Sequence, residues 1–281
     1  MYREIHGRNP NLLRPRLFTE KIQWRKLFDL NPVYAVLSDK ISVRNFIASR
    51  VGGEWLVPLL WVGDTVEDIP FDTLVPPYIL KCNHGSGFNL LVEDDGPLDR
   101  DKARATLRSY LGQNFGAAMR EPGYMPIRPR LLAERLMFEP DGALPLERKV
   151  FVFSGRAQMI LTIVMDRSRS RFDSVYDRDW RWLGWRMANE RYDGTLAPPA
   201  RQQDFITLAE RIGAGFDHVR IDMYEWMGQP RVGELTFYSW SGLIRPDPPE
   251  ADTIMGGWWE LERPLCRALA SRISIGSKHD A

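Results

Sequence analysis

The chain has 281 residues, 44% hydrophobic and 27% charged, which is ordinary for a soluble globular protein and enough for one large domain or two modest ones. Its 38 basic and 37 acidic side chains leave a net charge of +1, so bulk charge points to neither a nucleic acid nor an anionic membrane. Cys82 and Cys266 give no disulfide framework and no metal-ligand spacing, and no apolar run is long enough to cross a bilayer. The polar N-terminus lacks the apolar core of a signal peptide, so a cytoplasmic address is expected.

Residues 1–17, rich in Arg, Asn and Pro, read as an irregular arm lying on the body. Thr19 is placed to cap a helix over Lys21–Leu30 with Ile22, Leu27 and Phe28 as its apolar stripe, ended by Asn31-Pro32. A second helix is expected over Ser38–Arg50, burying Ile41, Phe46 and Ile47 and closed by Gly52-Gly53. Lys40 then falls in its first turn, where the macrodipole gives a cation no help. It reads as solvated unless a ligand phosphate lies nearby.

Tyr78–Lys81 reads as a strand, Asn83–Asn89 as a loop and Leu90–Val92 as the return strand. A glycine-containing loop can fold its amides over a phosphate, and Lys81 ends the strand that feeds it. An ordinary hairpin with a flexible tip fits the same residues. The pattern is not a P-loop, since no Gly-Lys-Ser/Thr opens a helix here. His84 alone is a weak signal. Asp99–Phe115 is the cleanest amphipathic helix, with Ala103, Leu107, Tyr110, Leu111 and Phe115 on one face.

Strands are expected at Leu131–Met137, Glu147–Phe153 and Ala157–Met165. Glu134, Glu147 and Lys149 interrupt apolar runs, which is costly unless each has a partner: a structural ion pair or a ligand. Arg167–Arg186, with Trp180, Trp182 and Trp185, reads as a charged, aromatic insertion that packs on the body. Within it, Asp177 and Asp179 match the short Asp-x-Asp pattern of metal-dependent glycosyltransferases. Gln203–Phe216 is another amphipathic helix, and Trp258–Ile273 a helical tail kinked at Pro264.

Between those helices, HVRIDMY (218–224) and RVGELTF (231–237) alternate as strands around a turn containing Gly228 and Pro230. Pairing them brings Asp222 and Glu234 together, with Arg220 two residues away on the same strand face. Adjacent carboxylates repel unless a cation lies between them. Magnesium takes oxygen ligands of this kind, few from protein and the rest from phosphates and water. A surface hairpin with ordinary charges is the alternative, and the apolar flanks Val219, Ile221, Val232 and Leu235 argue against it. Strands and helices without strict alternation favour α+β.

Six segments in order, FTEKIQW (18–24), SDKISVR (38–44), YILKCNHGSGFN (78–89), LLAERLM (131–137), ERKVFVFSG (147–155) and HVRIDMY…GELTFYSWSG (218–242), resemble the ATP-grasp superfamily. The resemblance is closer to its TupA-like branch, named for teichuronopeptide synthesis, and covers nearly the whole chain. It implies an α+β ATP-grasp fold with ATP between two α+β subdomains. Residues 1–37 would form an N-terminal arm and helix, 38–133 the subdomain with the phosphate loop, and 134–281 the one with the metal site.

Residue by residue, the resemblance implies that Lys40 and Lys81 grip the nucleotide phosphates and that His84, Gly85, Ser86 and Gly87 belong to the closing loop. It puts Glu134 at the adenine, Glu147 at the ribose, Asp222 and Glu234 on Mg2+, and Arg220 with Lys149 among the catalytic groups. The usual third magnesium ligand is an Asn two residues after the glutamate; here that position is Thr236, a weaker neutral oxygen donor. Only 39 residues precede Lys40, too few for the α/β domain that helps many such ligases bind their acceptor. The acceptor is therefore expected on the N-terminal arm, the tryptophan-rich segment or a partner protein.

The implied activity is ATP-dependent carboxylate–amine ligation through an acylphosphate. By the branch name, a uronic acid of a surface polysaccharide of the cell envelope would be joined to an amino acid. The competing readings are a metal-dependent glycosyltransferase using Asp177 and Asp179, and a catalytically silent ATP-grasp-like binding module.

Overall fold

The structure is a computed structural model and describes residues 1–94, 96, 98–166 and 168–261. Two sheets carry it. The smaller has four antiparallel strands in the order β1-β4-β2-β3: β1 (Leu59–Gly63), β2 (Tyr78–Cys82), β3 (Asn89–Val92) and β4 (Leu131–Arg135). Leu80, Cys82, Leu131 and Ala133 form its core together with Ala103 and Leu107 of a covering helix. That helix runs over Arg100–Leu111 and is capped by Asp99, whose carboxylate accepts from the Lys102 amide. Phe115 does not extend it. Asn114 caps a new short helix over Phe115–Met119.

The larger sheet has the order β10-β9-β5-β6-β7-β8. Its strands are β5 (Leu146–Phe153), β6 (Arg156–Met165), β7 (Arg171–Asp177), β8 (Glu190–Arg191), β9 (His218–Trp226) and β10 (Gln229–Thr236), antiparallel except for β7 beside β8. Strand β5 is covered on both faces. Phe151 and Phe153 meet Phe18, whereas Val152 between them lies under Gly213 of the helix Gln202–Gly213. The expected 167–186 insertion is thus in part a regular strand, β7. Its period is disguised because Asp173 and Ser174 are buried polar residues. The Asp173 carboxylate accepts from the amides of Met187, Ala188 and Asn189 and so fastens the following loop to the sheet.

The N-terminal segment departs from expectation in three ways. Residues Tyr2–His6 are helical, and Tyr2 is buried. The next helix spans Phe18–Phe28, so Thr19 lies inside it, its hydroxyl donating to Asp252, while Glu20 accepts from the amides of Asn11, Arg16 and Leu17. The expected helix over 38–50 is two helices, Val33–Ser38 and Val43–Val51, with a turn between. Asp39 makes that turn: its carboxylate accepts from the Ile41 amide, the Ser42 hydroxyl and the Asn83 side chain. Lys40 therefore sits in a turn, not in a helix. At the other end a helix covers Glu250–Trp258, and the expected tail helix beyond Leu261 lies outside the described residues. No helix among the described residues is long and apolar enough to cross a membrane.

Candidate active site

The hairpin of β9 and β10 places the acidic pair. Asp222 and Glu234 are direct register partners, and Arg220 lies opposite Thr236. A bulge at Gly233 resets the ladder between Val232 and Glu234. Asp222 is 2% exposed. It accepts from Arg220 Nε at 2.5 Å and Nη2 at 2.6 Å, and from Lys149 Nζ at 2.7 Å on the neighbouring β5. Burial alone would raise the Asp222 carboxyl, but the Arg220 and Lys149 charges overcome it and hold the group well below the usual carboxylate range. Arg220 also donates to Thr236 Oγ1 at 3.1 Å.

The turn carrying Lys40 docks on the glycine loop. The Lys40 amide donates to the Asn83 carbonyl, and Lys40 Nζ reaches both the Gly85 carbonyl and Glu234 Oε2 at 2.7 Å. One ammonium thus joins the loop of the small sheet to the acidic hairpin of the large one. Ser86 and Gly87 line the same narrow space with Lys81, Glu134, Asn89 and Tyr224. Gly87 has φ +80°, a conformation that favours glycine. His84 is placed elsewhere: its ring packs near Phe88 and its Nε2 lies 3.0 Å from the Gln113 carbonyl, so it anchors the loop's base.

Lys81 and Glu134 project from neighbouring strands. Glu134 is 3% exposed and accepts from Lys81 Nζ at 2.7 Å and Arg44 Nη1 at 2.9 Å. Burial opposes the Lys81 charge, but Glu134 outweighs it and raises the ammonium's pKa. Lys149 answers Glu147 and Asp222 rather than Glu134, and Arg171 shares Glu147. Each carboxylate named here is held by cations, so the cleft is nearly neutral although densely charged.

Beside it opens a cavity of about 600 Å³ lined by Lys149, Arg220, Thr236, Ser86, Glu121, Tyr124, Trp240 and Ser241, among others. Arg44 and Asn83 lay inside motifs already singled out. Their roles were missed because nothing local marks a side chain whose partner is 90 or 44 residues away. Glu121 carried no sequence signal. Asp177 and Asp179 stand apart: Asp177 Oδ1 accepts from the amides of Asp179 and Arg181, forming a turn, and Asp179 is exposed.

The glycine loop, the two lysines and the acidic hairpin meet in one cleft between two sheets. A family model, TupA-like ATP-grasp, matches residues 20–259. The chain belongs to the TupA-like ATP-grasp family. Its fold is accordingly the ATP-grasp fold, built here on the four- and six-stranded sheets. Solved structures similar to this TupA-like chain include D-alanine–D-alanine ligase from Bacillus anthracis complexed with ATP, at 15% identity and TM-score 0.41 over 72% of this chain and 53% of that one. Another is the ATP-grasp ligase PsnB complexed with a phosphomimetic variant of its minimal precursor, Mg and ADP, at 16% identity and TM-score 0.44 over 85% and 60%. A third is N5-carboxyaminoimidazole synthase from Aspergillus clavatus with ADP and its ribonucleotide, at 16% identity and TM-score 0.40 over 72% and 44%. The chain therefore spans roughly half of each of these proteins. Among curated proteins nothing matches it.

Proposed function

We propose that this protein is an ATP-dependent carboxylate–amine ligase that holds ATP between the four-stranded and six-stranded sheets, the expected division at 133/134 falling inside β4. The observation that carries the reading is Lys40, whose ammonium bridges the Gly85 carbonyl and Glu234 at 2.7 Å each. A nucleotide's phosphates would enter between the loop and the acidic hairpin, where Lys40 and Lys81 can exchange carboxylate partners for phosphate oxygens. The space lined by Lys40, Lys81, Ser86, Gly87 and Glu134 has a volume of about 50 Å³. Ligand pockets measure about 300–1,000 Å³, so the loop at Gly85–Gly87 must lift for a nucleotide to enter. Glu134 and Glu147 would then meet the adenine and ribose sides.

Among the described residues no group of three or more His, Cys, Asp or Glu side chains could hold a metal by itself. Asp222, Glu234 and Thr236 nevertheless form a set of hard oxygen donors on adjacent strands, which fits Mg2+ when phosphates and water complete the shell. When bound there, Mg2+ would supply positive charge to offset the negative charge that develops in phosphoryl transfer. The γ-phosphoryl group passes to the substrate carboxylate, giving an acylphosphate and ADP, and an amine then displaces phosphate to give an amide. Arg220, whose guanidinium lines the larger cavity, is suited to hold the oxygens of the acyl group, with Lys149 beside it.

The large cavity offers the acceptor a place within this chain. A uronic acid of a cell-envelope polysaccharide and an amino acid are the substrates we assign to it, and a cytoplasmic setting supplies the ATP. The glycosyltransferase reading finds no support, because Asp177 is occupied in a turn. The test is ADP release from Mg-ATP with uronic acids and amino acids supplied in pairs. Release that requires both partners supports the ligase, whereas binding of a sugar nucleotide in place of ATP overturns it.

A further inference from the structure

The 600 Å³ cavity contains one group that the chemistry above does not use. Glu121 follows the short helix Phe115–Met119, and its amide donates to the Gly116 carbonyl at 2.8 Å. Gly116 permits this close packing, since a Cβ there would lie 2.6 Å from the Met125 amide nitrogen. The Glu121 residue is 3% exposed, and the surface it keeps lines the cavity.

A buried carboxylate normally has a cation. Among the described residues none forms an ion pair with Glu121. Lys26 is nearby, but its ammonium donates to the Met119 carbonyl, the Ser241 carbonyl and the Ser241 hydroxyl. Those three acceptors match the three protons an ammonium carries. The Ser241 hydroxyl, which accepts from Lys26, donates to the Met119 carbonyl at 3.3 Å. Arg220 and Lys149 line the same cavity, but both are committed to Asp222.

We propose that Glu121 receives the ammonium group of the amine substrate in the cavity that Arg220 and Lys149 also line. This rests on the ligase reading and adds the location of its second substrate. The class of substrate is a primary amine, because a carboxylate without an ion-pair partner can accept N–H bonds from an incoming –NH3+. Phe115, Tyr124, Tyr238 and Trp240 also line the cavity and suit a cation next to aromatic faces.

The same group can take the proton that must leave before attack. The amine enters as –NH3+ and passes one proton to the Glu121 carboxylate. Its lone pair forms the C–N bond at the acyl carbon, and the C–O bond to phosphate breaks. The second nitrogen proton leaves with the phosphate as HPO4 2−, and Glu121 returns its proton to solvent. Burial pushes the Glu121 carboxyl up to about 7, opposed by Lys26, Ser241 and Arg220, which suits a group that gains and loses a proton near neutrality.

The experiment follows the Glu121 carboxyl carbon by NMR in full-length protein labelled with 13C at glutamate Cδ. The signal is assigned by its absence from Glu121→Gln or, failing that variant, Glu121→Ala. Methylammonium chloride and tetramethylammonium chloride are titrated at equal ionic strength and pH 8. The proposal expects a saturable shift with methylammonium and none with tetramethylammonium, which has no N–H to donate. No shift, or equal shifts with both, overturns it. Calorimetric ATP binding reads the ligase proposal separately. A methylammonium-specific shift without ATP binding leaves the amine site standing and removes the ligase; ATP binding without the shift does the reverse. In turnover, Glu121→Gln should raise the amine KM by at least about tenfold and leave the KM for ATP unchanged.

Discussion

Asp222 and Glu234 face each other across the β9–β10 ladder, yet they are neutralised from different sides of the cleft. Asp222 belongs to Arg220 and Lys149 on the large sheet, while Glu234 belongs to Lys40, which also holds the glycine loop. The two carboxylates should therefore respond differently to loss of charge. Asp222→Asn leaves two buried cations short of a partner and should cost about 3–5 kcal/mol in denaturant unfolding. Glu234 is more exposed, and Glu234→Gln should cost under about 1 kcal/mol.

Lys81 and Glu134 should be energetically coupled. A double-mutant cycle with Lys81→Met and Glu134→Gln should give an interaction energy of about 1–3 kcal/mol in unfolding experiments. Additive effects would show that Arg44 alone neutralises Glu134. The expected value is bounded because Arg44, at 2.9 Å from the carboxylate, is a second cation for Glu134.

Much of this arrangement was legible in the sequence. The β9–β10 hairpin, the strand before the glycine loop and the two amphipathic helices each follow from a clear period and a turn signal. The Ser38-Asp39-Lys40 turn was not legible, because Asp39 leaves the helical path for Asn83, a partner 44 residues away. Strand β7 was hidden by its own buried polar residues, which break the apolar alternation that marks a strand. Glu121 was invisible for a plainer reason: a lone carboxylate followed by Pro122 and Gly123 belongs to no periodic pattern, and its burial shows only in the fold.

Glu121 also gives a pH signature. Its carboxyl is raised from an ordinary 4.5 to about 7 by burial, against the pull of Lys26 and Arg220. The folded state therefore holds a proton that the unfolded state has released between those values. Stability from this group is full below pH 4.5 and declines as pH rises to about 7, by roughly 3 kcal/mol at most. Glu121→Gln mimics the protonated form and should remove that decline. Thermal unfolding of the two proteins should nearly coincide near pH 4.5, with the variant more stable at pH 8. Lys26, lowered to about 8 by burial, adds an opposite trend above that pH, and because the Glu121 charge raises it, that trend begins at a lower pH in Glu121→Gln.

Asp177 and Asp179 separate structure from catalysis. Asp179→Asn removes an exposed charge and should change stability by under about 0.5 kcal/mol, with no effect on nucleotide binding. Asp177→Asn weakens a turn held by two amides and should cost about 1 kcal/mol. Loss of sugar-nucleotide binding in Asp179→Asn would restore the glycosyltransferase reading.

Titration calorimetry of ATP into wild type and Glu234→Gln, with and without Mg2+, is the most direct test of the nucleotide site. Wild type should bind ATP far more tightly with Mg2+ than without, and Glu234→Gln should lose most of that difference while remaining folded. Binding that is indifferent to Mg2+, or equal in the two proteins, would contradict the placement of the metal between β9 and β10.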